Sequence, residues 1–282
     1  MHGFLMRGRY FNMRKSFFWA FVILLIGTGS SHGIYPENEL INTGRWTVDE
    51  LNRIIMLASE VKDTSLRMDF ISRHFLSVPY QDKTLIGNIQ TLELLVINLA
   101  GVDCFTFIDY VEAMRGSTSF DDFKRNLRNI RYQSGIVDYQ HRNHYFTDWR
   151  EFNVGRVEDV TEQIGGEKTK KVIKFLGRTA DNRELLPGVP VRKRIIKYIP
   201  TGEVRPEIIK RLKTGDYVGI YANRTDLDVS HVGIAIWKED ALLFRHASSM
   251  AQFKKVIDEE FMKYIFDKPG IIVFRPAPIP AK

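Results

Sequence analysis

The sequence predicts an α+β fold in which an antiparallel sheet packs on a helix that opens at the chain's only cysteine. An N-terminal helix pair precedes that helix, and a large insertion separates it from the sheet. Three observations carry this reading. Residues 47–76 place apolar side chains at helical spacing behind a capping-box signature. An apolar run at 94–99 passes through Gly101 into Cys104 and then into helical spacing again. Near the C-terminus, apolar stretches at 216–222, 231–237, 241–247 and 271–274 are separated by turn or charged residues, and connections this short favour antiparallel neighbours.

In chain order, residues 1–31 read as a secretory signal. Arg14 and Lys15 precede the apolar run 17–26, and small residues Gly27, Gly29, Ser30 and Ser31 follow. An apolar core of this length is short for a bilayer span, so an uncleaved anchor is the weaker alternative. Met13 stands immediately before Arg14 as a candidate start. The small residues have no cysteine beside them for lipid attachment. A periplasmic or secreted protein is therefore expected, with no stable membrane insertion once the signal is removed. Removing its four basic residues lowers the net charge from +7 to about +3. That balance is too mild to argue for nucleic acid. The remaining residues, 32–282, are expected to form a single catalytic domain, with 45–78 as its helical start and 117–210 as an insertion shaping the cleft.

A polar lead-in at 32–44 ends at Gly44. Thr47 and Glu50 have capping-box spacing and open a helix through Leu51, Ile54, Ile55, Ala58 and Val61. A second helix spans 65–76 and stops before Pro79-Tyr80. Asp103 is an N-cap candidate, which places Cys104 in the first turn of the next helix, with Phe107, Ile108, Val111 and Met114 on its apolar side. A further helix at 119–130 groups Phe120, Phe123, Leu127 and Ile130. Residues 131–155 have neither helix nor strand period and are rich in aromatic and polar side chains. They read as a substrate-lining wall, or as a loop folded on its own aromatics. His141 and His144 with Asp138 and Asp148 match no zinc spacing, and no metal or other cofactor is expected. Gly165-Gly166 is expected to turn a strand at 157–164 into one at 170–176. An amphipathic segment at 257–265 separates the last two strands.

A lone cysteine is commonly a small buried hydrophobe. In an exported chain, however, it cannot form an internal disulfide and is left as a free thiol, which favours a reactive role. At a helix start, unpaired backbone amides should lower its pKa below that of a free thiol, while the neighbouring Asp103 opposes them. A cysteine nucleophile needs a base, and the base needs an orienting partner. Strand alternation puts Val232, Ile234 and Ile236 on one face, and His231, Gly233 and Ala235 on the other, where small side chains leave room for the cysteine helix. A tight hairpin at 238–240 would bring His246 beside His231.

Asp103-Cys104, Lys213-Thr214-Gly215-Asp216, Ser230-His231-Val232-Gly233-Ile234 and His246-Ala247-Ser248, with Val78-Pro79-Tyr80 upstream, resemble the ordered blocks of the NlpC-type, papain-like cell-wall cysteine hydrolases. The helix pair, the 95–99 run, Thr106, and Asn143-His144-Tyr145 with Trp149 resemble the branch of N-acetylmuramoyl-L-alanine amidases, over residues 45–276. The resemblance implies a papain-like NlpC-type fold, with Cys104 as nucleophile, His231 as general base, His246 as its orienting residue and Tyr80 beside the oxyanion. Substrate-binding candidates are Asp103, Arg142, Asn143, His144, Trp149 and Asp228. Phe105 and Thr106 stand where compact members carry serine and glycine, and 127 residues separate Cys104 from His231, far more than in those members. The implied activity is hydrolysis of the N-acetylmuramoyl-L-alanine bond in peptidoglycan fragments. The alternatives are an endopeptidase cutting after γ-D-glutamate and a non-catalytic wall-binding module.

Overall fold

The first described element is a strand, β1 (Glu39–Asn42), where a polar lead-in was expected. The structure is a computed structural model that describes residues 39–179, 181 and 183–279. The expected signal at 1–31 lies outside the described residues. β1 runs parallel to β2 (Leu95–Asn98), so the apolar 94–99 run does not join the main sheet. Between them, α1 (Val48–Glu60) begins as the capping box requires, with the Glu50 amide donating to Thr47 Oγ1 at 3.2 Å and the Thr47 amide to Glu50 Oε2 at 2.7 Å. α2 (Thr64–Arg73) is capped by Asp63 and packs on α1. The Arg67 guanidinium donates to the carbonyls of Ser59, Val61 and Arg115, fastening both helices to the end of the cysteine helix.

That helix, α3 (Cys104–Arg115), is the centre of the molecule's larger core: every side chain from Thr106 to Arg115 is buried. Buried charges are costly unless paired, and here they are paired. Asp109 accepts from Arg131 Nε at 2.8 Å and from Trp149 Nε1 at 2.9 Å. Glu112 accepts from Arg115 and from the Tyr217 hydroxyl at 2.7 Å. Arg131 ends α4 (Phe120–Arg131), and Trp149 lies in α5 (Phe146–Glu151). Both helices fall in the stretch read as an insertion, yet they hold α3 in place. α5 also corrects the expectation that 131–155 is without helix. Its first turn is capped from far away: Asp228 accepts from the Thr147 amide at 2.7 Å and its hydroxyl at 2.8 Å, a partner that local periodicity cannot reveal.

The main sheet is built from β3 (Val157–Asp159), β4 (Lys170–Leu176), β5 (Arg192–Pro200), β6 (Tyr217–Tyr221), β7 (Val229–Lys238), β8 (Ala241–Ala247), β9 (Val256–Glu260) and β10 (Gly270–Pro276). Short helices α6 (Thr161–Gly165), α7 (Pro206–Ile209) and α8 (Phe261–Ile265) interrupt them. The order is β4-β5-β10-β6-β7-β8-β9, with β3 also on β10, and every pairing is antiparallel. Two expectations change. The 157–164 stretch is a short strand followed by α6, and β3 and β4 go to different partners instead of forming a hairpin. The 257–265 segment is mostly β9 followed by α8, because its first half completes the ladder on β8.

The faces of the sheet are also assigned differently. α3 packs on β7 and shares its core with Val232, Ile234 and Ile236. Ala235 and Phe244 belong to the second core, on the other side, with Phe261 and Ile265 of α8. A Cβ on Gly233 would lie 2.6 Å from the Phe244 ring, so the space left by glycine is filled by Phe244, not by a helix. Among the described residues, no helix is long and apolar enough to cross a membrane.

Candidate active site

Cys104 opens α3 because Asp103 stops the chain from being helical any earlier. The Asp103 carboxylate accepts from the amides of Phe105 at 3.0 Å and Thr106 at 2.7 Å, and from the Thr106 hydroxyl at 2.8 Å. Thr106 closes the box by accepting from the Asp103 amide at 3.0 Å. Cys104 is half-buried as a residue, with its sulfur on the inner side, where it accepts from the backbone amide of Val232. The reason lies in the sheet. β7 and β8 pair from Lys238↔Ala241 back to Ile234↔Arg245. Ahead of that pair the ladder ends, and the tip of α3 takes up the Val232 amide. A bulge at Ser230, where Ile220 faces His231 and Tyr221 faces Val229, re-aims the strand just before His231.

Registers then set a diagonal row of side chains on the face opposite Val232. His246 stands opposite Ile257 on β9, two positions from Glu259, and β7–β8 pairing sets it diagonally from His231. His231 Nε2 lies 2.8 Å from His246 Nδ1, and His246 Nε2 lies 2.8 Å from Glu259 Oε2. The imidazoles are nearly perpendicular, with centroids 4.9 Å apart. His246 stacks on Phe244, and the ring of Tyr264 lies 4.7 Å from His246 and 6.0 Å from His231. Tyr80 bridges to Val102, two residues before Cys104.

Electrostatically, the resting site is neutral at its centre. Burial first, and Asp103 second, push the Cys104 thiol up to about 12, against the amides of Val232, Cys104 and Phe105. The expectation of a low thiol pKa is thereby corrected: the helix tip supplies its amides, but desolvation outweighs them. Burial and the mutual repulsion of the two rings, with Lys268 nearby, hold His231 at about 3, and burial holds His246 at about 4. Burial raises Tyr80 and Tyr264, and the charge that Cys104 can carry raises both further.

Cys104 thus meets the β7 backbone one residue from His231, which is bonded to His246, while Tyr80 and Tyr264 both lie near enough to feel a charge on Cys104. The substrate-binding candidates are mostly spent on the protein itself. Asp103 is the cap of α3, and Asp228 is buried as the cap of α5. Trp149 is fully buried on Asp109, and Asn143 is buried and donates to the Ile130 carbonyl. Arg142 pairs with buried Glu93 at 3.1 Å and covers the Tyr139 ring, while His144 Nε2 donates to the Tyr139 carbonyl at 2.8 Å. Among the described residues, no group of three or more His, Cys, Asp and Glu side chains could hold a metal ion. The sequence missed Glu259 and Tyr264, both hidden in the stretch read as one amphipathic segment. Val256-Ile257-Asp258-Glu259-Glu260 has no apolar–polar alternation, so no local signal marks this strand; its pairing on β8 makes it one.

The model of the AmiA-like family, described as N-acetylmuramoyl-L-alanine amidase-like, matches residues 70–271. Among solved structures, an N-acetylmuramoyl-L-alanine amidase from Bacteroides uniformis is 28% identical, covering 74% of this chain and 98% of its own, with a TM-score of 0.59. A protein from Bacteroides fragilis described as a putative xylanase is 30% identical over 76% of this chain and 100% of its own, with a TM-score of 0.60. A Legionella pneumophila protein, 21% identical over 82% of this chain and 94% of its own, has a TM-score of 0.70 and shares the fold. No curated protein matches the chain.

Proposed function

The chain belongs to the AmiA-like, N-acetylmuramoyl-L-alanine amidase-like family, and from that premise we propose that it is an exported cysteine amidase. Its substrates are peptidoglycan fragments, and the bond it hydrolyses joins the lactyl group of N-acetylmuramic acid to L-alanine. The single observation that carries the reading is the meeting of Cys104, at the tip of α3, with the strand that bears His231, itself bonded to His246. A papain-like, NlpC-type kinship is part of the same proposal, resting on the order of the sequence blocks around these residues.

His231 takes the thiol proton as the Cys104 sulfur attacks the lactyl carbonyl. Charge developing on the carbonyl oxygen is met by the Cys104 amide and the Tyr80 hydroxyl. The imidazolium returns its proton to the L-alanine nitrogen, the C–N bond breaks, and a thioester remains. Water, deprotonated by His231, then releases the sugar acid and the free thiol. Because thiol and imidazole are both neutral at rest, thiolate and imidazolium form together, each stabilised by the other.

The test is product analysis by mass spectrometry on two substrates, a muramoyl tetrapeptide and the bare stem peptide. Release of the free sugar from the first and no cleavage of the second is the expected result. Cleavage of the bare peptide assigns an endopeptidase instead. Cys104→Ala should remove turnover by more than ~10³-fold while leaving the melting temperature near the wild-type value. Wild-type hydrolysis by that variant would eliminate the mechanism.

A further inference from the structure

We propose that Glu259 is a positioning residue that sets the tautomer of both histidines and so leaves His231 Nδ1 as the bare nitrogen that serves as base. The proposal rests on the amidase reading for its kinetic consequence, but its structural content stands apart from it.

The argument is one of donors and acceptors. A neutral imidazole carries one N–H and one lone pair. The Glu259 carboxylate, 2.8 Å from His246 Nε2, only accepts when ionised, so His246 must carry its proton on Nε2. That leaves His246 Nδ1 as an acceptor, and the contact of 2.8 Å to His231 Nε2 requires His231 to donate from Nε2. His231 Nδ1 is then unprotonated, and a base is available without any further rearrangement. Burial keeps both rings neutral, which is the condition the argument needs.

Protonating Glu259 on Oε2, the oxygen that faces His246, reverses each step. A carboxylic acid donating to His246 Nε2 forces the proton of His246 onto Nδ1, which donates to His231 Nε2 and leaves the His231 proton on Nδ1. The base is then blocked while every ring stays in place. Glu259 is therefore a switch at the far end of a three-strand row. The charged and titratable groups around it are His246 on β8, Lys263 and Tyr264 of α8 and Lys268 beyond it; His231 on β7 is reached through His246, and Cys104 at the tip of α3 and Asp267 act on Tyr264. Burial raises Glu259 above an ordinary glutamate, and Lys263 and Lys268 oppose that rise. Asp258 points to the other face, where it holds Arg245 at 2.7 Å.

Two measurements on the full-length protein test this. Long-range ¹H–¹⁵N imidazole spectra at neutral pH should show both His231 and His246 protonated at Nε2, and recording them on Cys104→Ala makes the result independent of turnover. A proton on Nδ1 of either ring overturns the proposal. The second is the pH profile of kcat on the muramoyl tetrapeptide. Wild type should lose activity in acid with one proton, at the Glu259 pKa. Glu259→Gln keeps an acceptor for His246 but cannot ionise, so its plateau should fall about 10-fold with KM unchanged, and the acid limb should move down to the range in which His246 and His231 themselves take up protons, about 4 and 3. A Glu259→Gln enzyme with the wild-type plateau and acid limb would overturn the switch. Retained turnover in Cys104→Ala would instead remove the cysteine mechanism on which the amidase proposal rests and leave the tautomer result standing.

Discussion

Asp103 acts on Cys104 in two opposing ways, through its oxygen as a cap and through its charge. The cap builds the helix tip whose amides face the thiol, while the charge helps hold the thiol protonated. The two roles can be separated. Asp103→Asn retains a capping oxygen, so its stability should stay within about 1 kcal/mol of wild type, yet it removes the negative charge. Alkylation by iodoacetamide follows the thiolate fraction. In wild type the rate should still be climbing beyond pH 10, since the thiol lies at about 12, and in Asp103→Asn the curve should move to lower pH. An unchanged curve would mean that burial alone sets the thiol. Tyr80 makes a companion prediction: Tyr80→Phe should lower kcat by about 10²-fold with little change in KM, as expected for loss of one oxyanion donor. At this scale the sequence was most legible where residue type carries the chemistry, as with the single cysteine, its cap and the two histidines. Glu259 was invisible because a glutamate in a charged segment has no distinguishing chemistry until strand register sets it beside His246.

At the scale of elements, helix starts were the most readable features, because a cap is a local event. Thr47, Asp103 and Ser119 all accept from amides of the turn they precede. Strand faces were less readable, because alternation says which residues share a face and not what covers it. The small residues Gly233 and Ala235 were expected to admit α3, but they admit Phe244 and α8. Gly233→Ala tests the correction. A methyl there would lie 2.6 Å from the Phe244 ring and 2.7 Å from the Arg245 carbonyl, and the carbonyl belongs to the backbone and cannot turn aside. The variant should lose about 1–3 kcal/mol by overpacking. Because Phe244 stacks on His246, it should also lose kcat even where it remains folded. Urea melts together with kcat measured well below the midpoint separate the two losses. Normal kcat in a destabilised variant would show that the Phe244–His246 stack does not position the relay.

Across the whole molecule, long-range partners decide what the sequence left unread. α5 needs Asp228 from the start of β7, α3 needs Arg131 and Trp149 from the stretch taken as an insertion, and the loop at 222–228 is held by buried Lys174, which donates to the carbonyls of Ala222 and Leu227. These contacts bury groups that must keep one protonation state, and stability therefore depends on pH. His144, His231 and His246 are held neutral by burial, at about 4, 3 and 4 against an ordinary 6.5. As pH falls from 6.5 towards 4, the unfolded chain binds protons that the folded chain refuses, so stability falls through that window. Buried carboxylates such as Asp109, Asp148, Asp216 and Asp228, raised by burial, act in the opposite sense near their own pKa values. A difference between two proteins cancels them. His144→Gln lies away from the His231–Glu259 row and can still donate to the Tyr139 carbonyl. Its melting temperature should drop less than that of wild type between pH 7 and pH 4, with kcat at neutral pH unchanged. Parallel melting curves for the two proteins across that window would show that His144 is not one of the groups that make the fold sensitive to acid.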